Sequence, residues 1–598
     1  MATETTPVVD ESNAATPAIG ATWRSVVGPA AFSTADGEGA SGLYLREWAT
    51  RDLAGFFERK GLLAIKQEDQ LEKWYDDWIA YQAEHELYAA VLSPKQFSTK
   101  GRQFDLLRYA RFLEVIAYFS PSHAYSLQVT FLGLFSIQMG ENEALKREAV
   151  TALEAGGQFA FGVSEKQHGS DLLGNEFTVR PAVGGQFVAN GSKYYIGNAN
   201  CASIIAVLAR KDDPTSSNGR EKRAPFVLFG LRPKQANAFG NLRKIRTFGV
   251  KAGFVGSFDV KEHDLPETDL LADGRGAWDA VIGTVTLGKF FLGFGSIGIC
   301  QHAFAEALAH LKQRKLYGKP VIEMPHIRAA AAQAAARLVA MKLYAYRAID
   351  YVHAATADDR RYLFFCAVQK AKVSTEGVKV MTLLSECVGA KGFEADTFFE
   401  MALRDVQLIP LLESSAHINL GFTAQFIGRY FGSPANELAA PPSLASRETP
   451  ATENPYLTTA RSNAINAIFF PPHQRAYGPL IGVPNVKLFA AQARTFRLFT
   501  RAIRNHRDLQ SNISIGLGQC MATIAYGQLV AENAVKLGVP DEIVSAIFHL
   551  LVADLSTAAQ ALAATPGMDK LGRVLLRRMV VIPKTTDADW GFVSAQCL

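Results

Sequence analysis

The stretch QFAFGVSEKQHGSD, residues 158–171, marks the point where the hydrophobic period of the chain changes. Upstream, segments such as LLRYARFLEVIAYF (residues 106–119) repeat apolar side chains every three or four residues, which is the period of a helix. Downstream, runs such as SIIAVLAR (residues 203–210) are short and β-rich. We therefore predict a helical domain over residues 41–157 and a small antiparallel β barrel or sandwich over residues 158–275.

Helical patterns return after the β-rich region. The alanine-rich segment IRAAAAQAAARLVAMKLYAYRAIDYV belongs to a predicted helical bundle over residues 276–432. A Pro- and Ser-rich stretch predicts a linker over residues 433–460, followed by a last helical domain over residues 461–598. Residues 1–40 are rich in Ala, Thr, Ser and Gly, and we expect a flexible tail there. The predicted fold class is thus α+β and mostly α, with an additional C-terminal helical domain.

The charge of the chain is nearly balanced. Its 62 basic and 57 acidic side chains leave a formal net charge of +5, which argues against a dedicated surface for nucleic acid. The 6 cysteines are scattered, with no C-x-x-C pair and no metal-ligand spacing, so we predict no metal site and no disulfide framework.

The composition also bears on where the protein works. The longest apolar stretch, residues 284–300, is interrupted by Lys289, contains four glycines and is short for a membrane span. The N-terminal residues lack the charged start and apolar run of a signal peptide. We therefore expect a cytoplasmic protein without a transmembrane segment.

Two glycine motifs have structural interpretations. GFGSIG, residues 293–298, matches the G-x-G-x-x-G string, but it lies in a helical run with no βαβ unit around it, so glycines that allow close packing explain it better than a dinucleotide site. The Asn190-Gly191 pair inside the β-rich region predicts a hairpin turn.

A candidate base lies near the end of the bundle. In LRDVQLIPLLESS, Glu413 follows an apolar stretch, and a carboxylate held among Ile409, Leu411 and Leu412 would have a raised pKa. Such a carboxylate suits removal of a carbon-bound proton near neutral pH. Lone glutamates at the end of apolar segments are also often helix caps or surface residues, so this segment alone leaves the role open.

Taken in order, these segments resemble the acyl-CoA dehydrogenase family over roughly residues 43–430. The stretch FAFGVSEKQHGSD resembles the flavin-binding strand and loop of that family. The resemblance implies an FAD cofactor, with Phe161 on this strand and with Val163 and Ser164 against the pyrimidine side of the ring. It also implies that Ser170 lies near the substrate thioester.

Three more segments resemble the same family. Tyr195 matches an aromatic that packs on the flavin, and QRKLYGKPV, with Arg314 and Tyr317, resembles a segment that reaches the FAD of a neighbouring subunit. CVGAKGF, with Gly389, resembles the turn beside the adenosine half of FAD. LRDVQLIPLLESS aligns Glu413 with the catalytic base of the family. A homo-oligomer, either a dimer or a tetramer, follows from the shared cofactor.

The chain departs from the family pattern at several positions. Gly197 stands where the family commonly has a threonine that bonds flavin N5, and a glycine there also resembles the acyl-CoA oxidases. Lys289 replaces an arginine near the substrate and base, and Ser414 follows the base in place of a glycine. Pro325 replaces a glutamine expected near FAD. These departures indicate an unusual substrate or electron acceptor.

The resemblance implies α,β-dehydrogenation of an acyl thioester such as an acyl-CoA, with Glu413 taking the α proton. Electron-transfer flavoprotein would then accept the electrons. Three alternatives stay open: an acyl-CoA oxidase that uses O2 and releases hydrogen peroxide, an enzyme of this fold that takes a carrier-protein-bound acyl group or hydroxylates its substrate, and a non-catalytic nucleic-acid-binding relative.

Overall fold

A computed structural model gives the architecture of the chain. The structure describes the following residues: 23–29, 32, 47–212, 225–234, 239–432, 439–444, 451–459, 468–503 and 511–598. The predicted order of a helical region, a β region and two further helical regions is confirmed.

The N-terminal region is all helical over its described residues. Its helices are α1 Trp23–Val27, α2 Trp48–Lys60, α3 Leu62–Gln70, α4 Asp76–Glu84, α5 Leu87–Leu92, α6 Leu106–Phe119, α7 Pro121–Met139 and α8 Glu143–Glu154. Helix α7 is buried on all sides except near Tyr125, so it forms the centre of this region. A helix that is apolar all round is expected in such a position.

The prediction of a flexible tail over residues 1–40 is wrong for the part that the structure describes. Val26 and Val27 of α1 are buried, and so is Phe32. The ring of Phe32 packs edge-on against Tyr118 of α6, with centroids 5.2 Å apart. Burial of these apolar side chains stabilises the segment against the helical core. The rest of the predicted tail lies outside the described residues.

The β domain begins and ends close to the predicted boundaries. Its strands are β1 Gln158–Gly162, β2 Thr178–Pro181, β3 Phe187–Gly197, β4 Ala202–Lys211, β5 Phe226–Leu231, β6 Phe239–Lys244, β7 Val255–Leu265 and β8 Leu270–Asp273. They form one sheet in the order β6-β7-β3-β2-β4-β5-β8, with β1 also paired to β4. The sheet is mixed and not purely antiparallel as predicted, because β4 runs parallel to both β1 and β2.

The predicted hairpin turn at Asn190-Gly191 is wrong. Both residues lie inside β3, where the pairing with β7 shifts register at a β-bulge between Ala189 and Gly191. A side chain at Gly191 would come within 2.5 Å of the ring of Phe177, so close packing explains this glycine. The chain reverses at residues 182–186, before β3.

A single helix of 40 residues, α9 (Gly274–Gln313), follows the sheet and contains GFGSIG. The expected close packing is confirmed at Gly298, where an added Cβ would lie 2.2 Å from the carbonyl oxygen of Glu114 in α6. Three helical segments are long and apolar enough to cross a membrane by length and composition: α9, Asn512–Lys536 and Asp541–Ala564. In each of them, 72 to 78% of the most apolar window is buried within the protein.

After a short hairpin, β9 (Lys315–Leu316) and β10 (Lys319–Pro320), the helical bundle continues. Its helices are α10 Pro325–His353, α11 Tyr362–Val368, α12 Ser374–Val388, α13 Phe398–Leu408, α14 Ala416–Ala424 and α15 Ile427–Tyr430. Residues Gln369–Val373, between α11 and α12, form a π-helical turn. Such turns interrupt regular helices and are frequent at functional sites.

The segment predicted as a linker, residues 433–460, is packed where the structure describes it. The Ala451 amide donates to the carboxylate of Asp105, and Asn454 Nδ2 donates to the carbonyl of His353 at 2.8 Å. The segment therefore connects the N-terminal helices with the bundle. Residues 433–438, 445–450 and 460 lie outside the described residues.

The last region is helical, as predicted. Counting the short helix of the connecting segment, its helices are α16 Tyr456–Thr459, α17 Gln474–Tyr477, α18 Pro484–Ala502, α19 Ser511–Lys536, α20 Asp541–Ala564, α21 Lys570–Arg577 and α22 Asp587–Cys597. A charged cluster ties α20 to the bundle: Asp554 contacts Arg337 at 3.0 Å and Lys372 at 3.1 Å, and both cations also contact Glu376. This region is thus joined to the bundle by charge pairs as well as by apolar packing.

Candidate active site

Glu413 lies in a strained loop between α13 and α14. Its φ is 47° and that of Ser414 is 73°, so two consecutive residues other than glycine adopt a left-handed conformation. Neighbouring groups hold this loop in place: the Ala416 amide donates to the Pro410 carbonyl at 2.9 Å, and Asn419 Nδ2 donates to the Ser415 carbonyl at 3.0 Å. Strain of this kind persists only where the surroundings enforce it, and it is common at active sites.

The carboxylate of Glu413 points into the protein. Oε1 accepts a hydrogen bond from Gln128 Nε2 of α7 at 3.2 Å, whereas Oε2 is buried and has no hydrogen-bond partner among the described residues. A Cβ at Gly288 of α9 would lie 2.3 Å from Oε2, so this glycine makes room for the carboxylate. A buried carboxylate oxygen without a partner is available for a proton or a ligand.

Burial raises the pKa of Glu413 to about 7, although the Gln128 hydrogen bond and the charges of Lys370 and Lys289 oppose the rise. The predicted direction of the shift is therefore confirmed. The predicted cause is wrong in one respect, because Leu411 is 58% exposed and cannot isolate the carboxylate. The burial comes instead from helices α7 and α9, which are remote in sequence. A carboxylate of this kind suits a general base that works near neutral pH.

Lys370 was not identified from the sequence. It lies in the π-helical turn, is fully buried, and donates its ammonium group to the carbonyl of Ile409, at the start of the Glu413 loop. Burial lowers the pKa of Lys370 to about 7, while the nearby charge of Glu413 favours the protonated form. This lysine stands out in the apolar run LFFCAVQKAKV and could have been noticed in the sequence. The group that its side chain faces is decided by the tertiary fold.

Lys289, predicted to lie near the substrate and base, does lie near Glu413. Its ammonium group is 5.3 Å from the centre of the Phe422 ring of α14, an arrangement that favours a cation. Burial lowers the pKa of Lys289 to about 8, and the charge of Glu413 partly offsets that effect. Two lysines of low pKa thus flank one carboxylate of raised pKa.

A hydrogen-bonded chain leads away from the carboxylate. The hydroxyl of Tyr109 in α6 donates to Gln128 Oε1 at 3.2 Å, so Gln128 is oriented with its amide towards Glu413. The Tyr109 ring packs against Phe131 and Phe291, with centroids 5.0 and 4.6 Å away, and closes this side of the site. Gln128 and Tyr109 were also missed in the sequence, because each contact joins separate helices.

The predicted cofactor residues of the β domain come together. Phe161 is the last residue but one of β1, and Val163 and Ser164 follow the end of the strand at Gly162. The Ser164 hydroxyl donates to the Tyr194 carbonyl at 2.6 Å, and the Tyr194 amide donates to the Ser164 carbonyl at 3.0 Å. The proton of the Ser164 hydroxyl is therefore used in a hydrogen bond to β3. The lone pairs of its oxygen remain available to accept a hydrogen bond from a bound ring.

Tyr195 interrupts strand β3. The pairing with β7 shifts register between Tyr194 and Ile196, and Tyr195 has a φ of 63°. The bulge turns the Tyr195 ring outwards, where it is 59% exposed. A bulge that aims a large aromatic at open space is typical of a ligand-binding position.

Known proteins can be compared with this geometry. The family model described as the acyl-CoA dehydrogenase middle domain matches residues 160–257, and the model described as the acyl-CoA dehydrogenase C-terminal domain matches residues 274–427. The chain belongs to the acyl-CoA dehydrogenase family. Members of this family are FAD-dependent oxidoreductases.

Two relatives show how far the similarity extends. The chain is 27% identical to cyclohexane-1-carbonyl-CoA dehydrogenase of Geobacter metallireducens over 334 residues, which is 56% of this chain and 84% of that protein. It is 23% identical to cyclohex-1-ene-1-carbonyl-CoA dehydrogenase of Syntrophus aciditrophicus over 325 residues, 53% of this chain and 75% of that protein.

One solved structure matches almost the whole chain. An acyl-CoA dehydrogenase from Bacillus anthracis, determined in complex with FAD, superposes with a TM-score of 0.72 and 17% identity, covering 96% of this chain and 97% of that one. The match therefore includes the C-terminal helices. At 17% identity, this match establishes that the two proteins share a fold.

Of the remaining predicted residues, Ser414 lies in the Glu413 loop and the others lie apart from it. Arg314 and Tyr317 are on the exposed β9–β10 hairpin, where Tyr317 is 97% exposed with a φ of 51°. Gly389 is exposed at the C-terminal end of α12, with a φ of 67°. Ser170 is exposed on the loop after β1, and Ser414 is half-buried beside Glu413. Within the described residues of one chain, no recorded contact joins the hairpin to Glu413, so its role stays a prediction.

One group of potential metal ligands occurs in the loop after β1. Glu165, His168 and Glu176 have ligand atoms within 4.8 Å of one another. The Glu165 carboxylate already accepts from two backbone amides and from Lys193 at 2.9 Å, and His168 bonds Asp171 at 2.9 Å. These contacts explain the group as part of the loop structure.

The site residues fit a flavin. An exposed aromatic on a bulge offers a surface for a flat ring, and the unpartnered Oε2 of Glu413 offers a place for a reacting hydrogen. On the resemblance, Tyr195, Val163 and Ser164 would hold the ring of FAD, and Gly389 would lie beside its adenosine half.

Proposed function

We propose that this chain is an FAD-dependent dehydrogenase of acyl thioesters, with Glu413 as the base that removes the α proton. The observation that carries the proposal is the buried, unpartnered Oε2 of Glu413, on a carboxyl group whose pKa burial raises to about 7. Near neutral pH such a group both accepts a proton readily and keeps it once transferred.

The surrounding residues explain how the proton is held. Gln128 fixes Oε1 through its amide, so Oε2 is the atom that receives the proton. The loop conformation, with φ of 47° at Glu413, aims the carboxylate towards α9 and away from solvent. Lys289 and Lys370 keep part of the Glu413 population ionised, because their charges oppose the effect of burial on its pKa.

The thioester carbonyl needs a hydrogen-bond donor, since negative charge develops on its oxygen as the α proton leaves. The backbone N–H of Glu413 makes no hydrogen bond within the described residues, so it is available for this purpose. Bound FAD supplies the acceptor for the hydride that leaves the β carbon. Tyr195 would orient the ring, and water is excluded by the aromatic packing around Tyr109.

The substrate and acceptor are part of the proposal. The relatives named above are dehydrogenases of cyclic acyl-CoA thioesters, and we propose an acyl-CoA for this chain, with electron-transfer flavoprotein as acceptor. We also propose that it acts in the cytoplasm as a homo-oligomer. The exposed Tyr317 at the hairpin tip supports the last point, because a fully exposed aromatic on a bent backbone is suited to a partner subunit.

The test is anaerobic visible absorbance of the purified protein during addition of linear, branched and cyclic acyl-CoA thioesters. Bleaching of a bound flavin by one of them is expected, and Glu413→Gln should keep the flavin and lose bleaching by about 10²–10⁴-fold. Glu386→Gln, an exposed glutamate on α12, is the matched control and should behave as wild type. A protein that cannot take up FAD contradicts the proposal.

The response to air, the mass of the product and binding to DNA separate the alternatives. Rapid return of colour in air with formation of hydrogen peroxide would identify an oxidase. A yellow protein that no acyl-CoA bleaches would indicate a carrier-bound substrate, and a product heavier by one oxygen would indicate hydroxylation. Salt-dependent binding of DNA without any bleaching would favour the nucleic-acid-binding relative.

A further inference from the structure

The hydroxyl of Tyr125 lies beside Gly197, within the electrostatic reach of Glu413, and takes no part in the chemistry proposed above. Tyr125 is the half-buried residue of the otherwise buried helix α7, and its ring lies against Gly253, where an added Cβ would be 3.2 Å from Cδ1. Its hydroxyl makes no hydrogen bond to another described residue. Buried or half-buried tyrosines normally find a partner for this group.

Neighbouring tyrosines of the same region do have partners. The Tyr75 hydroxyl donates to the Ser122 carbonyl at 2.8 Å, and the Tyr109 hydroxyl donates to Gln128 at 3.2 Å. Tyr88 bonds both Trp78 and Ser126. The absence of a partner at Tyr125 therefore distinguishes it from the tyrosines that only support the core.

The Tyr125 hydroxyl occupies the space of a missing side chain. A Cβ added to Gly197, at the end of β3, would lie 2.7 Å from the Tyr125 hydroxyl oxygen and 2.6 Å from a methyl group of Val129. Gly197 does not have a positive φ, so its backbone would allow an L side chain. Tyr125 and Val129 of α7 together exclude one.

The hydroxyl is also close to the proposed base and to the ring-binding strand. Tyr195, whose ring projects outwards, is two residues before Gly197 on β3. Burial raises the pKa of the Tyr125 hydroxyl, and the negative charge of Glu413 raises it further. The group therefore stays protonated throughout the working pH range and acts as a hydrogen-bond donor.

We propose that the Tyr125 hydroxyl donates a hydrogen bond to the polar edge of the bound flavin ring, from the place that a side chain at residue 197 would otherwise take. The inference rests on the proposed function, since it needs a flavin in this site. It assigns to α7 a donor that, on the resemblance, the family commonly supplies from the strand. Tyr125 would then tune the flavin electronically.

The first variant is Tyr125→Phe, which keeps the ring and removes only the hydroxyl. We expect it to retain FAD, to displace the visible absorption maxima of the flavin, and to change the equilibrium between oxidised and reduced flavin by about tenfold, as expected for one lost hydrogen bond. Gly197→Ala should cause a similar change, because the new methyl group would displace the hydroxyl. The readouts are the spectrum and a redox titration, neither of which requires turnover.

A rescue variant makes the test specific. Tyr125→Ala and Val129→Ala combined with Gly197→Thr remove both groups that block residue 197 and return a hydroxyl from the strand. We expect the spectrum and redox equilibrium of this variant to move back towards wild type relative to the variant that carries Tyr125→Ala and Val129→Ala without Gly197→Thr. Tyr75→Phe is the matched control, because its hydroxyl is bonded to a backbone carbonyl outside the site; it should leave the flavin unchanged.

The outcomes separate this inference from the proposed function. A wild-type protein that cannot bind FAD would refute both. If the wild type binds FAD and Tyr125→Phe has an identical spectrum and redox equilibrium, the inference fails while the proposed function stands. A change confined to thioester affinity, or an equal change in Tyr75→Phe, would also overturn it, since the hydroxyl would then serve the substrate or the general packing.

Discussion

Gln128 Nε2 donates to Glu413 Oε1 at 3.2 Å and to the Gly288 carbonyl at 2.9 Å, so one side-chain amide joins α7, α9 and the Glu413 loop. Its other atom, Oε1, accepts from Tyr109. Every polar atom of Gln128 is therefore used, and its orientation is determined. This arrangement makes Gln128 the contact between the proposed base and the helical core.

We predict that Gln128→Leu raises the pKa of Glu413 and destabilises the fold. The hydrogen bond from Gln128 lowers that pKa, and its loss leaves the Tyr109 hydroxyl buried without a partner. The cost should be about 1–3 kcal/mol. Thermal unfolding and the pH profile of flavin bleaching measure the two effects. Wild-type values for both in Gln128→Leu would contradict the assigned hydrogen bonds.

The rate of flavin bleaching should rise with pH through about pH 7, because burial raises the pKa of Glu413 to about 7 and only the ionised form accepts a proton. Lys370 lies beside the loop, with Lys289 on α9 and the tyrosines of α6 and α7 on the other sides. The positive charge of Lys370 lowers the pKa of Glu413, so Lys370→Met should move the midpoint of the bleaching-rate profile to higher pH by up to about one unit. Lys370→Arg keeps the charge and should shift it less. A midpoint that does not move in Lys370→Met would show that Lys370 carries no charge beside Glu413.

Glu413→Gln should make the protein more stable at neutral pH. Because the folded-state pKa of Glu413 lies above its ordinary value of 4.5, ionisation of Glu413 opposes folding as pH rises from 4.5 through 7. Glutamine cannot ionise, so the gain should appear over that interval and reach about 1–3 kcal/mol above it. Chemical denaturation at pH 5 and pH 8 provides the comparison. If Glu413→Gln and wild type have equal free energies of unfolding at both pH 5 and pH 8, the carboxylate of Glu413 is not desolvated.

Two glycines of α9 form a matched pair for packing. A Cβ at Gly298 would lie 2.2 Å from a backbone oxygen of α6, whereas nothing lies within 4 Å of a Cβ at Gly295. Gly298→Ala should therefore destabilise the protein by about 1–3 kcal/mol or more, because two helices must separate. Gly295→Ala should stabilise it by up to about 1 kcal/mol through helix propensity. Melting temperatures that shift in the same direction would contradict the close approach of α9 and α6.

Asp554 should matter for attachment of the C-terminal helices. It contacts Arg337, Lys372 and Lys379, and these cations hold its pKa well below the usual range against the effect of burial. Asp554→Asn leaves these three cations with Glu376 as their shared carboxylate and should cost about 3 kcal/mol at pH 7. Asp541→Asn, at the exposed start of the same helix, is the control and should cost less than about 1 kcal/mol.

The same cluster predicts a pH dependence. Lys372, Arg337 and Lys379 lower the pKa of Glu376 to about 2 against the effect of burial, and the same cations hold the pKa of Asp554 well below its usual range. A depressed carboxyl pKa stabilises the fold above the ordinary value, and this contribution is lost as pH falls towards 2. Acid unfolding of wild type should thus be steeper below pH 4.5 than that of Asp554→Asn.

The sequence by itself determined the order of the helical and β regions, which depends on hydrophobic period, and its local segments indicated the family and the candidate base Glu413. It also indicated Tyr195 and Ser164 from their place on a strand and loop. It did not indicate the mixed sheet at β4, since strand pairing is a contact between distant segments. Nor could it show that Val26, Val27 and Phe32 are buried, because the composition of that region resembles a flexible tail.

The tertiary structure alone decided how the site works. Gln128, Tyr125 and Lys370 lie in helical runs whose sequence reveals that they are buried or half-buried but not which helix or loop they face. Burial of Glu413 was expected from its neighbours in sequence, yet it comes from α7 and α9, which reach it across separations of up to 285 residues. The physical reason is that desolvation and hydrogen bonding depend on which atoms meet in space, and the packing of whole helices determines those meetings.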